Sequence, residues 1–122
     1  MNIQESAEMY LETIQVLSEQ LEHVRSIDIC HKMNFSKPSV SRAMKNLKAE
    51  DYIDISDEGY ITLKEKGFAI ANKIYERHKA LTSFFVALGV SPETAEEDAC
   101  RIEHVISDET FEKIKKKMKS CD

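Results

Sequence analysis

From Ser26 to Leu63 the apolar residues change period, and this change limits the fold more than any other feature of the chain. The stretch SIDICHKM (26–33) reads as a short helix, with Ser26 able to cap it. A tight break, NFS, leads into KPSVSRAMKNLKAE (37–50), where Val40, Met44 and Leu47 recur at helical spacing. Pro38 suits the first turn of that helix, where its missing N–H is no loss. Tyr52, Ile53 and Ile55 then alternate with Asp54, and SDEG supplies turn residues before YITL. That pattern predicts a hairpin of two strands, about three or four residues each.

The flanking sequence is helical. Met9, Tyr10, Thr13, Ile14 and Leu17 form a stripe that predicts a first helix over about 5–20. A long helix is expected from about Lys64 to Leu88, roughly 37 Å at 1.5 Å per residue. Gly89 can end it in a left-handed cap. Ser91-Pro92 opens a further helix to about Val105, and Ser107-Asp108-Glu109 caps a last one through about Lys119. The expected class is mainly α. A winged helix-turn-helix spans 1–63, and a three-helix unit spans 64–122.

Composition narrows the function. The 122 residues are 42% hydrophobic and 32% charged, enough for a modest core. No apolar run approaches the roughly 18 residues that would cross a bilayer, and MNIQESAEMY lacks the basic and apolar segments of a signal peptide. The expected location is the cytoplasm, with no membrane partner. Cys30, Cys100 and Cys121 are an odd, unpaired set, expected as free thiols.

The net charge of −5 argues against coating nucleic acid by bulk charge, but the charge is segregated. From His23 to Ala49, Arg25, Lys32, Lys37, Arg42, Lys45 and Lys48 face Asp28 alone. From Ser91 to Glu112 eight acidic residues face Arg101 alone. One segment suits phosphates and the other suits cations.

Two short helices joined by a tight turn, the second bearing serine and arginine near its start, match a helix-turn-helix. Ser36, Lys37 and Ser39 stand where hydroxyls and unpaired N–H groups can hold phosphate. Arg42 can chelate a guanine edge in the major groove. Arg25, Pro38, Ser41 and Lys45 complete the candidate DNA-contacting set, the alternative being an exposed basic helix without a ligand. The acidic wing tip, SDEGY, argues against a strong minor-groove contact there.

In ACRIEHV, Cys100, Glu103 and His104 fall at i, i+3 and i+4, which on a continuous helix places them on one face. A thiolate, a carboxylate and an imidazole make a half-site for a transition metal. Met9 and Glu12 stand at i, i+3 on the first helix, and His78 shares a stripe with Ile74, Leu81 and Phe85. Each piece has an ordinary reading too: core methionine, solvated glutamate, hydrogen-bonded histidine, buried small cysteine. Phe84, Phe85, Val86 and Leu88 offer apolar area for helix packing or a dimer contact, with plain core as the alternative.

Taken in order, EMYLETI, SKPSVSRAMKNL, ITLKEKG, IYERHKAL and EEDACRIEHVISDE resemble the diphtheria-toxin-repressor family, from about Ser6 to about Ile114. The resemblance implies a metal-dependent repressor that binds palindromic operator DNA as a homodimer to control metal-homeostasis genes. Its C-terminal domain would bind metal and dimerise, with no organic cofactor. Carried over, the regulatory site is Met9, Cys100, Glu103 and His104; Glu12 and His78 match positions that bind metal in some branches. The methionine and cysteine are those of the iron-responsive branch, so Fe(II) is expected first, with Mn(II) as alternative and other divalent ions as surrogates. Thr82 and Glu96 stand where the iron branch has ancillary ligands, so that second site is altered or absent here, although Glu96 can still ligate. The chain stops at Asp122, which implies a short form without the SH3-like third domain of longer members. Metal shared between the first helix and the C-terminal helices would fix the spacing of two recognition helices. One rival is a winged-helix regulator sensing a small organic ligand without metal. Another is a protein-interaction module that has lost DNA binding. A metalloenzyme using Cys100 and His104 lacks a nucleophile–base–orienter set, so no enzyme is expected.

Overall fold

A computed structural model describes residues 3–120, so Cys121 lies outside the described residues. The element order is α1 (Ile3–Gln20), α2 (Ser26–Met33), α3 (Lys37–Ala49), β1 (Ile53–Ile55), β2 (Ile61–Leu63), α4 (Glu65–Ala87), α5 (Pro92–Ile102) and α6 (Asp108–Ser120). The chain divides into two compact units, one ending at Asn72 and the other beginning at Lys73, so the division falls inside α4.

In the first unit the helical stripes close on one core. Leu11 and Ile14 of α1, Ile29 of α2, Val40, Met44 and Leu47 of α3, and Ile53 and Ile61 of the hairpin are all buried together. The break between α2 and α3 is made by Asn34 in the left-handed region (φ 57°), whose N–H bonds the carbonyl of Cys30. Asparagine tolerates that conformation better than most residues. Ser36 caps α3 by accepting a hydrogen bond from the amide of Ser39. The α2 cap differs from expectation. Arg25 is the N-cap residue, and its amide donates to the Asp28 carboxylate at 2.9 Å, which leaves Ser26 as the first helical residue.

The antiparallel wing pairs Ile53 with Leu63 and Ile55 with Ile61. Gly59 (φ 85°) turns its tip. The amide of Ile61 also reaches the carbonyl of Val24 at 2.7 Å, tying the wing to the α1–α2 connection. Gly67, in the first turn of α4, is fixed by close approach: a Cβ there would sit 2.2 Å from the Tyr52 carbonyl oxygen and 3.4 Å from a Leu11 methyl. Since backbone cannot yield as a side-chain tip can, Gly67→Ala is expected to destabilise the fold by about 1–3 kcal/mol or more. Urea unfolding measures this, and a midpoint equal to wild type would contradict the packing.

In the second unit, Leu81 of α4, Ala99 of α5 and Phe111 of α6 form a smaller core, flanked by Phe85, Ile102, Ile106 and Ile114. Ser91 caps α5 through the amide of Thr94, and Ser107 hydrogen-bonds the amide of Thr110 in the first turn of α6. Helix α5 stops at Ile102, short of Val105. The amides of Val105 and Ile106 both turn back to the carbonyl of Ile102 at 2.9 Å. Glu103 is thus the C-cap residue and His104 stands in the following turn. Among the described residues no helix is long and apolar enough to cross a membrane.

Candidate metal centre and nucleic-acid interface

Within the second unit three of the sequence-derived ligands meet. Glu103 is wholly buried, its Oε2 2.9 Å from His78 Nδ1 and its Oε1 3.4 Å from His104 Nε2. Between an imidazole and a carboxylate the ring N–H donates, so Nδ1 of His78 carries the proton and the lone pair is left on Nε2. A carboxylate positioned behind an imidazole in this way sets its tautomer and makes it a better ligand. Oε1 of Glu103 is buried and receives no hydrogen bond among the described residues. Burying a carboxylate oxygen without a donor is costly unless a cation balances it. The donor set therefore fits a divalent ion.

The other candidates are placed as follows. Cys100 lies in the last turn of α5 and is exposed, whereas Glu103, three residues on, is buried. Ending the helix at Ile102 replaces the continuous Cys100–Glu103–His104 helix face with a helical cysteine, a C-cap glutamate and a histidine in the turn. Glu96 is exposed on α5, and the Thr82 hydroxyl donates to the carbonyl of His78 at 2.7 Å. Met9 and Glu12 are half-buried on α1 in the first unit.

Sequence reasoning missed Arg77. This arginine is buried on α4, and one guanidinium nitrogen donates to the carbonyls of Glu103 (3.2 Å) and Ile106 (2.8 Å). The other terminal nitrogen pairs with Asp108, which Lys73 also approaches at 3.5 Å. The only available signal was spacing: Arg77 follows Ile74 by three residues and precedes Leu81 by four, on the buried stripe.

On the first unit Ser36, Lys37, Pro38, Ser41, Arg42 and Lys45 are exposed and Ser39 is half-buried. Val40, Met44 and Leu47 hold the opposite side of α3 in the core, so α3 presents its basic residues outward. Arg25 is braced by the wing, its guanidinium 4.9 Å from the Tyr60 ring centroid and hydrogen-bonded to the Tyr60 hydroxyl at 3.3 Å. His23 stacks on the same ring at 4.0 Å. At the wing tip the Glu58 carboxyl sits below its usual range, first through a backbone hydrogen bond at its own residue and then through the Ser56 hydroxyl. The tip stays anionic, unsuited to a phosphate.

Residues 2–61 match the family described as iron dependent repressor, N-terminal DNA binding domain. Residues 64–122 match iron dependent repressor, metal binding and dimerisation domain. An uncharacterised helix-turn-helix-type transcriptional regulator of Methanocaldococcus jannaschii is 34% identical, covering 91% of this chain and 90% of that protein. The transcriptional regulator MntR of Escherichia coli is 32% identical over 84% of this chain and 66% of its own length. The structure of the manganese regulator SloR superposes with a TM-score of 0.81 and 31% identity, covering 93% of this chain and 53% of that one. The chain thus spans about half to two-thirds of the length of the latter two. These relatives are named as regulators, none as an enzyme. With both halves matched in order, this chain belongs to the iron-dependent repressor family of metal-dependent transcriptional regulators.

Proposed function

We propose that the protein is a homodimeric repressor that binds palindromic operator DNA when a divalent metal ion is held by Met9, Glu12, His78, Cys100, Glu103 and His104. The observation that carries this reading is the buried Glu103 carboxylate between two imidazoles, with Oε1 receiving no hydrogen bond among the described residues. A bound divalent ion would supply the positive charge that balances this carboxylate. The division of labour follows the chain: residues 1–63 read DNA, and residues 64–122 hold metal and dimerise. Met9 and Glu12 come from the DNA-reading half and the other four ligands from the second half. A ligand set divided in this way is satisfied by one arrangement of the halves, and that arrangement is favoured only to the extent that it binds the ion more tightly.

The exposed apolar residues Leu88 and Val105, each 66% exposed, and Val86 support a self-association surface on the second unit. Arg42 and Lys45 serve as base and phosphate contacts, with Ser36, Lys37, Pro38, Ser39 and Ser41 at the start of α3 and Arg25 beside the wing. Sulfur from Met9 and Cys100 favours Fe(II) over Mn(II), which prefers oxygen; Mn(II) is the alternative. Glu96 is a further candidate ligand for an ancillary ion.

Equilibrium dialysis under anaerobic conditions with Fe(II) and with Mn(II), followed by elemental analysis, tests the reading. Retention of metal with a dimeric mass in sedimentation supports it. A protein that retains neither ion favours the rival, a winged-helix regulator of a small organic ligand.

A further inference from the structure

We infer that Arg77 is a positioning residue for the metal centre: its guanidinium fixes the turn after α5 so that Glu103 and His104 meet His78. The inference rests on the metal reading above. The last carbonyls of a helix have no partner within it and lie at the negative end of its dipole, where a cation is favoured. Arg77 approaches that end of α5 at its C-cap, donating to Glu103 O at 3.2 Å, and also donates to Ile106 O, in the connection to α6, at 2.8 Å. Its other terminal nitrogen binds Asp108, the first residue of α6. The guanidinium also lies 5.3 Å from the ring centroid of Phe111 on α6. One planar group thus holds three acceptors within residues 103–108, and its side chain is only 7% exposed.

The consequence for the site comes from adjacency. Arg77 and His78 are neighbours on α4, so one helix both grips the main chain of Glu103 and meets its carboxylate. Without the guanidinium, the carbonyls of Glu103 and Ile106 lose the side-chain donor that helps hold the Glu103 side chain in register with His78. Lysine keeps the charge but not the fork, so it can replace only part of the grip.

The test compares wild type, Arg77→Ala and Arg77→Lys in the full chain. Mn(II) affinity is measured by competition with a chelating dye, the visible spectrum of bound Co(II) reports ligand geometry, and circular dichroism reports the fold. Arg77→Ala is expected to remain helical, to bind Mn(II) about 10- to 100-fold more weakly, in the range seen when outer-shell partners of ligands are lost, and to change the Co(II) spectrum. Arg77→Lys is expected to lie between. A folded Arg77→Ala protein with wild-type Mn(II) affinity and Co(II) spectrum would overturn the inference and leave the metal reading intact. A wild-type protein that binds no metal would overturn the metal reading, and the inference with it. Where Arg77→Ala fails to fold, Arg77→Lys and Asp108→Asn decide: weakened Mn(II) binding in folded protein supports the inference, and wild-type binding in both overturns it.

Discussion

Glu103→Gln is expected to weaken metal binding by about 100-fold or more, at or beyond the upper end of the effect of losing an outer-shell partner. The substitution keeps the side-chain volume, which matters because Glu103 is fully buried. It also keeps an oxygen that can accept from His78 Nδ1, so the apo fold should persist. What disappears is the negative charge facing His104, carried on an oxygen, Oε1, that receives no hydrogen bond among the described residues. Competition with a chelating dye measures the loss, and circular dichroism of the apo protein checks the fold. Unchanged Mn(II) and Fe(II) affinity in folded Glu103→Gln protein would remove this carboxylate from the site.

Arg42→Ala acts on the other half. It is expected to cost about 1–3 kcal/mol of operator affinity, or about 5- to 150-fold, and to relax sequence preference at one base position. Lys45→Ala should instead weaken binding to all sequences alike and lower the salt dependence by about one phosphate. Both residues lie on the exposed side of α3, away from Val40, Met44 and Leu47, so neither change should disturb the core or the metal affinity. Fluorescence anisotropy with specific and random duplexes separates the two effects. Wild-type affinity and selectivity in Arg42→Ala would assign base reading to another residue.

The elements most legible in the sequence are those whose signals are local. Asn34 and Ser36 sit where the backbone needs a left-handed residue and a cap, and the hairpin announces itself by alternation and Gly59. Ser26 misled because a serine before an apolar run resembles a cap. Here the Asp28 carboxylate binds the preceding amide, and so moves the cap back to Arg25. The end of α5 was hidden for a different reason. ACRIEHV is periodic enough to continue as helix, but the amides of Val105 and Ile106 turn back to Ile102 and the Glu103 carbonyl is taken by an arginine far away in sequence. His78, Glu103 and His104 could be chosen because their chemistry is distinctive, whereas Arg77, in a run with Glu76 and Lys79, resembled a solvated face. Its spacing from Ile74 and Leu81 was the one hint of the burial that the tertiary structure shows.

The central claim is that holding the ion and holding DNA are one coupled equilibrium. The direct measurement is the affinity of wild type and Cys100→Ala for a palindromic duplex, selected from random-sequence DNA with metal-loaded protein. Affinity is read by anisotropy under anaerobic titration with Fe(II) and with Mn(II). The coupling predicts that wild-type affinity rises by about 5- to 150-fold on metal addition, as a linkage of about 1–3 kcal/mol requires. Loss of the Cys100 thiolate should shift the Fe(II) midpoint more than the Mn(II) midpoint. DNA affinity indifferent to both ions in the wild type would contradict the account.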